Sequence, residues 1–183
     1  MIFNDVLRSV RYMLDLSDAK MAAIFKLAER DMELSEIASL LKKEDEADFT
    51  DCGADVLVAF LDGLIIHKRG KMEPRPGQEI KKPERRLTNN AILKKLRVAF
   101  ELKEEDMHQV LAVAGFDVSK PELSALFRQK GHKNYRTCGD QLLRNFLKGL
   151  VIRHRGLPHP SCPSGYNPEV PDKTGHKGEG EEA

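Results

Sequence analysis

The chain has no apolar run approaching the roughly 20 residues that a membrane-crossing helix requires, so no membrane span is expected. Residues 1–5, Met-Ile-Phe-Asn-Asp, lack the basic segment and apolar core that open a secretory signal. Cysteine is scarce: Cys52, Cys138 and Cys162 make an odd number, which argues against a disulfide framework. Together these absences point to the reducing cytoplasm. Signatures of chemistry are missing too. There is no nucleophile elbow, P-loop or dinucleotide fingerprint. His154, His159 and Cys162 come nearest to a metal cluster, yet their spacing matches neither Cys-x-x-Cys nor His-x-x-x-His. No enzymatic activity, metal or cofactor is expected.

What is present is a soluble, globular composition of 183 residues, 40% hydrophobic and 32% charged. That length suits one ordinary domain or two small ones. The net charge of +1 conceals a strong asymmetry. Residues 1–80 carry 11 Lys/Arg against 16 Asp/Glu (−5), residues 81–157 carry 17 against 8 (+9), and residues 158–183 carry 2 against 5 (−3). Charge bias of this kind bears on partners and solubility rather than on fold.

The chain contains one stretch twice. Residues 3–70 align with residues 89–156 at a constant offset of 86, without a gap and with 19 identities in 68 positions. Asn4/Asn90, Leu7/Leu93, Arg11/Arg97, Met21/Met107, Glu36/Glu122, Cys52/Cys138 and Gly63/Gly149 are among the matched pairs. A tandem duplication of a helical unit follows. Each copy shows four stretches of helical periodicity. Asn4 and Asn90 stand where helix N-caps are expected. Ser119-Lys120-Pro121-Glu122 reads as a capping box, and residues 137–140 resemble another. Gly70 and Gly156 follow cationic last turns and should stop the final helices. The expected fold is all-α: two tandem four-helix units, 1–70 and 89–156, packed together, with a helix-turn-helix-like joint between their second and third helices. A Pro- and charge-rich linker (71–88) joins them. The tail (157–183) has Val170 as its sole aliphatic residue after Leu157 and is expected to be disordered.

Asn-Asn-x-Ile-Leu-Lys-Lys-Leu-Arg at 89–97, Glu-Leu-Lys-Glu-Glu-Asp-Met at 101–107 and Cys-Gly-Asp-Gln-Leu-Leu-Arg-Asn-Phe-Leu-Lys-Gly-Leu at 138–150 resemble the YehS-type family. These are small bacterial proteins built from a duplicated domain of unknown function. The resemblance covers residues 3–156. It implies a bacterial, cytoplasmic protein and supplies no catalytic residues to carry over.

Several residues compete for functional or structural roles. Cys52 and Cys138 sit at expected helix starts, where a thiol can be activated. No histidine recurs between the copies to serve as a base, so small buried packing residues are the better reading. Gly63 and Gly149 fall inside helices and point to close helix–helix approach. For Arg11 and Arg97, an internal carboxylate pair and a ligand contact compete evenly. His108 and His132 read as surface residues. In the last helix of the first copy, Val58 and Ala59 replace Arg144 and Asn145 of the second, so a face that should be polar is half apolar. Val58 and Ala59 are therefore expected to lie against the other repeat or a second subunit. This favours a non-catalytic protein-interaction or regulatory module, with self-association or another protein as partner.

The alternative is DNA or RNA binding through the basic repeat. Its phosphate contacts would be Lys81, Lys82, Arg85, Arg86, Lys94, Lys95, Arg97, Arg128, Lys130, Lys133, Arg136, Arg153 and Arg155. Against it, Pro121 falls early in the helix that would read bases, and that helix offers little beyond Lys120, Arg128 and Gln129.

Overall fold

Eight α-helices account for the regular structure in the computed structural model, which describes residues 1–71 and 87–156. The first copy contributes α1 (Phe3–Leu14), α2 (Asp18–Leu27), α3 (Leu34–Leu41) and α4 (Ala54–Arg69). The second contributes α5 (Asn89–Ala99), α6 (Glu104–Val113), α7 (Lys120–Ala125) and α8 (Asp140–Arg155). Among the described residues there is no strand. Most of the 71–88 linker, the whole tail, and with them Lys81, Lys82, Arg85, Arg86, His159 and Cys162 lie outside the described residues.

Local sequence sets the helix ends. Ser17 and Thr88 cap α2 and α5 by accepting from the amides of Lys20 and Ala91. The capping box at Ser119 forms: its amide donates to Glu122 Oε2 at 3.0 Å, and its Oγ accepts from the Glu122 amide. The box expected at residues 137–140 does not. Gly139 is the N-cap of α8, as Gly53 is of α4, and neither offers a side chain. The last helices end as expected, with the Gly70 and Gly156 amides each donating at 2.8 Å to the carbonyls of Ile66 and Ile152.

Asn4 and Asn90 are not caps; Ile2 and Thr88 hold those positions. Each asparagine lies one residue inside its helix and is buried. Asn4 Nδ2 donates to the carbonyls of Leu40 and Thr50, both at 2.8 Å, while its Oδ1 accepts from the Cys52 amide at 2.9 Å. Asn90 repeats the arrangement with Leu126, Arg136 and Cys138 at 2.8, 2.9 and 2.8 Å. A carboxamide alone among short side chains carries both the paired donors and the acceptor this site requires. It fastens the first helix of each copy to the loop before the last.

The two copies are interleaved. Within each, the second helix packs on the last, α2 on α4 and α6 on α8. The first helices reach across: α1 packs more extensively on α8 than on α4, and α5 more on α4 than on α8. The turn after each first helix places Asp15 and Glu101 in the left-handed region, at φ 51° in both. Arg155 of α8 meets Asp15 at 3.3 Å, and Arg69 of α4 meets Glu101 at 3.1 Å, so matched residues pair in exchanged combinations. Arg11 and Arg97 brace the same turns, donating from Nε to the carbonyls of Leu16 and Leu102 at 3.1 Å. Arg11 also pairs with Asp18, while Arg97 lies 4.6 Å over the Phe127 ring. One continuous core results, running from Val6, Leu7 and Phe25 through Phe60 and Leu64 to Leu93, Phe146 and Leu150.

Candidate interaction groove and the basic residues

The closest helix contacts fix where the surface features lie. Gly63 sits so near α2 that an added Cβ would collide with the Ile24 carbonyl, and Gly149 stands in the same relation to Val110 on α6. Beyond this contact, the edge of α4 beside the end of α2 is open. There Ala54, Val58, Asp62 and Ile66, four residues apart and hence on one helical stripe, form a wall together with Asp55 and Ala59. Leu27, Ala28 and Glu29 at the end of α2, Lys71 after α4 and Leu87 before α5 complete an open groove of about 660 Å³. Leu27 is 42% exposed, one of two large apolar side chains left open to solvent among the described residues. Val58 and Ala59 are half-buried. The other repeat thus covers only part of this face: Lys95 of α5 pairs with Asp62, while Val58 and Ala59 line the groove.

The rim is ionic. Arg30 binds Asp55 at 2.8 Å and holds that carboxyl below its usual range. The Glu29 amide donates to the Lys26 carbonyl at 3.0 Å, and its carboxylate has no ion-pair partner among the described residues. The matched face of α8 is more polar: Asp140, Arg144, Asn145 and Lys148 replace Ala54, Val58, Ala59 and Asp62, while Ile152 keeps the isoleucine of Ile66. Met1, the counterpart of Leu87, is drawn to that face by a 2.6 Å contact between its ammonium and Asp140. That contact, followed by a hydrogen bond from Asn89, lowers the Asp140 pKa. Val58 and Ala59 were visible in the sequence as anomalies. Leu27 and Leu87 were not, because only folding brings the end of α2 and the residue before α5 to the same edge of α4.

The basic residues do not form one free set. Lys95 pairs with Asp62, Arg136 with Glu122, Arg153 with Asp106 and Arg155 with Asp15; Arg155 also lies 4.3 Å over the Tyr12 ring. Arg97 is taken up by Leu102 and Phe127. Glu122, which accepts from the Ser119 amide and then from Arg136, has its pKa lowered to about 2. Lys94, Arg128, Lys130 and Lys133 have no ion-pair partner among the described residues. Helix α7 runs for only six residues, so Arg128 and Gln129 fall beyond its end and cannot extend a groove-reading helix.

Cys52 and Cys138 are each 2% exposed. Burial, reinforced by Asp51 and Asp55, pushes the Cys52 thiol up to about 12; burial and then Asp140 push Cys138 up to about 11. Such thiols are poor nucleophiles near neutral pH. His132 is exposed and accepts from the Asn134 amide, whereas His108 is half-buried, with its Nε2 lacking a partner among the described residues. No group of three or more His, Cys, Asp or Glu side chains is arranged for a metal ion among the described residues, and no helix there is long and apolar enough to cross a membrane.

Fold and surface define a duplicated, all-helical protein whose two copies share one framework and differ in one exposed face. The chain belongs to the family described as "Protein of unknown function (DUF1456)", which matches residues 3–70 and again residues 89–156. It is similar to the uncharacterised protein YehS of Escherichia coli (strain K12), with 48% identity over 153 residues, covering 84% of this chain and 96% of that protein. No solved structure matches the chain.

Proposed function

We propose that this protein is a non-catalytic, cytoplasmic interaction module that receives an apolar helical segment of a partner protein in the groove of its first repeat. One observation carries the reading. Two faces derived from a single duplicated helix have diverged, so that α8 carries the polar Arg144 and Asn145 where α4 lines an open groove with Val58 and Ala59. An amphipathic helix laid in a groove uses apolar anchors three and four residues apart. Leu27, Val58, Ala59, Ile66 and Leu87 give the groove an apolar lining against which such anchors can pack. Glu29 and Lys71 both line the groove and offset one another locally, so the net −5 of residues 1–80 is what favours a segment bearing basic rather than acidic flanks.

The double variant Val58→Arg, Ala59→Asn installs the residues that α8 already carries at matched positions, so the fold should persist. A photoreactive residue at Val58, activated in cells, is expected to crosslink to a defined segment of one partner protein. The recombinant partner should bind the parent chain and lose roughly tenfold or more in affinity for the double variant, as removal of central apolar anchors does. Crosslinks only to this chain's own tail or to a second copy would overturn the reading. Free Lys94, Lys130 and Lys133 keep nucleic acid as the second reading. Salt-dependent binding of duplex DNA or single-stranded RNA, lost on charge reversal at those lysines, would favour it instead.

A further inference from the structure

Away from the groove, the ends of α4 and α8 meet the turn between α5 and α6. Lys68, Phe100, Glu101, Arg153 and His154 line a recess there of about 260 Å³. Helix dipoles explain why each last turn is cationic. They do not explain why the cations of two helices converge on one cavity. Lys68 and His154 occupy matched positions in the two copies, so the interleaving itself brings them together.

The carboxylates nearby are otherwise engaged. Glu101 pairs with Arg69 at 3.1 Å, and Asp106 of α6 holds Arg153 at 2.8 Å. Lys68 has no carboxylate partner among the described residues; its ammonium lies 5.6 Å from the centre of the Phe100 ring, a weak interaction for a partly solvated cation. His154 packs 5.2 Å from the same ring. We infer that this recess is a binding site for a small phosphate-type anion, held by Lys68 and Arg153 from two sides with His154 as a third donor. A cavity of this size is below the range usual for drug-sized ligands, which suits a phosphoryl group or pyrophosphate rather than a whole nucleotide.

The electrostatics agree. The His154 pKa is lowered first by burial and then by the charges of Lys68 and Arg153. A bound anion would offset those like charges and move it upward. Arg69, Arg97, Glu101, Lys103 and Asp106 are the other charged groups near the recess, and Glu101 and Asp106 already offset Arg69 and Arg153 in part.

The test follows the His154 ring resonances by NMR in the full chain, assigned with His154→Gln. Inorganic phosphate and pyrophosphate are added in parallel with sodium chloride at equal ionic strength. Saturable shifts with the two phosphates, together with a rise in the His154 pKa, are expected. Lys68→Ala should weaken pyrophosphate binding roughly tenfold, the loss of one charged hydrogen bond, and Lys68→Arg should restore most of it. Shifts that chloride reproduces, or binding unchanged in Lys68→Ala, would overturn the assignment. A response to duplex DNA but not to pyrophosphate would also overturn it, because the site would then serve a polymer.

Discussion

Asn4 and Asn90 show how much of this fold rests on single side chains. Each satisfies two carbonyls and one amide that would otherwise be buried without partners. Replacing Asn4 by Ala removes about as much volume as a small cavity, but the larger penalty lies in the orphaned groups. A buried polar group left unpaired costs about 1–3 kcal/mol. Relaxation and water entry should recover part of the sum, so Asn4→Ala is expected to destabilise the chain by roughly 3 kcal/mol. Urea unfolding followed by circular dichroism measures this, and Asn90→Ala should match it. Asn4→Asp makes a sharper check, since a carboxylate would face the Leu40 and Thr50 carbonyls with no proton to offer. Its burial there raises the folded-state pKa, so the stability it lacks at neutral pH should return as the pH falls and the group protonates. The residue type at positions 4 and 90 was legible as important because it recurs. Its role was not, because an asparagine near a helix start reads as a cap until the Leu40 and Thr50 carbonyls are placed beside it.

At the scale of the helices, two glycines set the geometry. Within a helix, glycine is about 1 kcal/mol less favourable than alanine, so Gly63→Ala and Gly149→Ala would stabilise the helices in isolation. Here the new methyl group would strike backbone, the carbonyls of Ile24 and Val110, which cannot swing aside as a flexible side chain would. Overpacking of this kind costs about 1–3 kcal/mol and should outweigh the propensity gain. Both variants are therefore expected to unfold at lower denaturant concentration than the parent chain. An increase in stability would mean that the α2–α4 and α6–α8 contacts can admit a methyl group without strain. Helix number, the capping box at Ser119 and the stops at Gly70 and Gly156 were all readable from local sequence. The box expected at residues 137–140 failed because Cys138 is drawn inward by Asn90, which leaves Gly139 as the residue that opens α8. Local pattern cannot anticipate a constraint imposed from 48 residues away.

The whole molecule is where the sequence said least. Two copies of about 70 residues can pack as adjacent closed units or exchange their first helices, and the same apolar periodicity serves either arrangement. The choice is visible only in tertiary contacts: α1 on α8, α5 on α4, and the matched pairs Arg155–Asp15 and Arg69–Glu101. Interleaving lets each copy complete the core of the other, which a domain of that size can scarcely fill alone. It also places the groove and the cationic recess beside elements of both copies, since Lys95 of α5 meets Asp62 of the groove and Lys68 shares the recess with His154. A protease site inserted between residues 72 and 86 tests this directly. After cleavage the two fragments should remain together through size-exclusion chromatography and separate only in denaturant, because parting them would expose the apolar faces of α1 and α5. Mixing them again should restore the thermal transition of the cut complex, whereas either fragment alone should melt with little cooperativity or self-associate through the face its partner normally covers. Fragments that part on cutting and each unfold cooperatively as monomers would show that the exchange of first helices contributes little to stability.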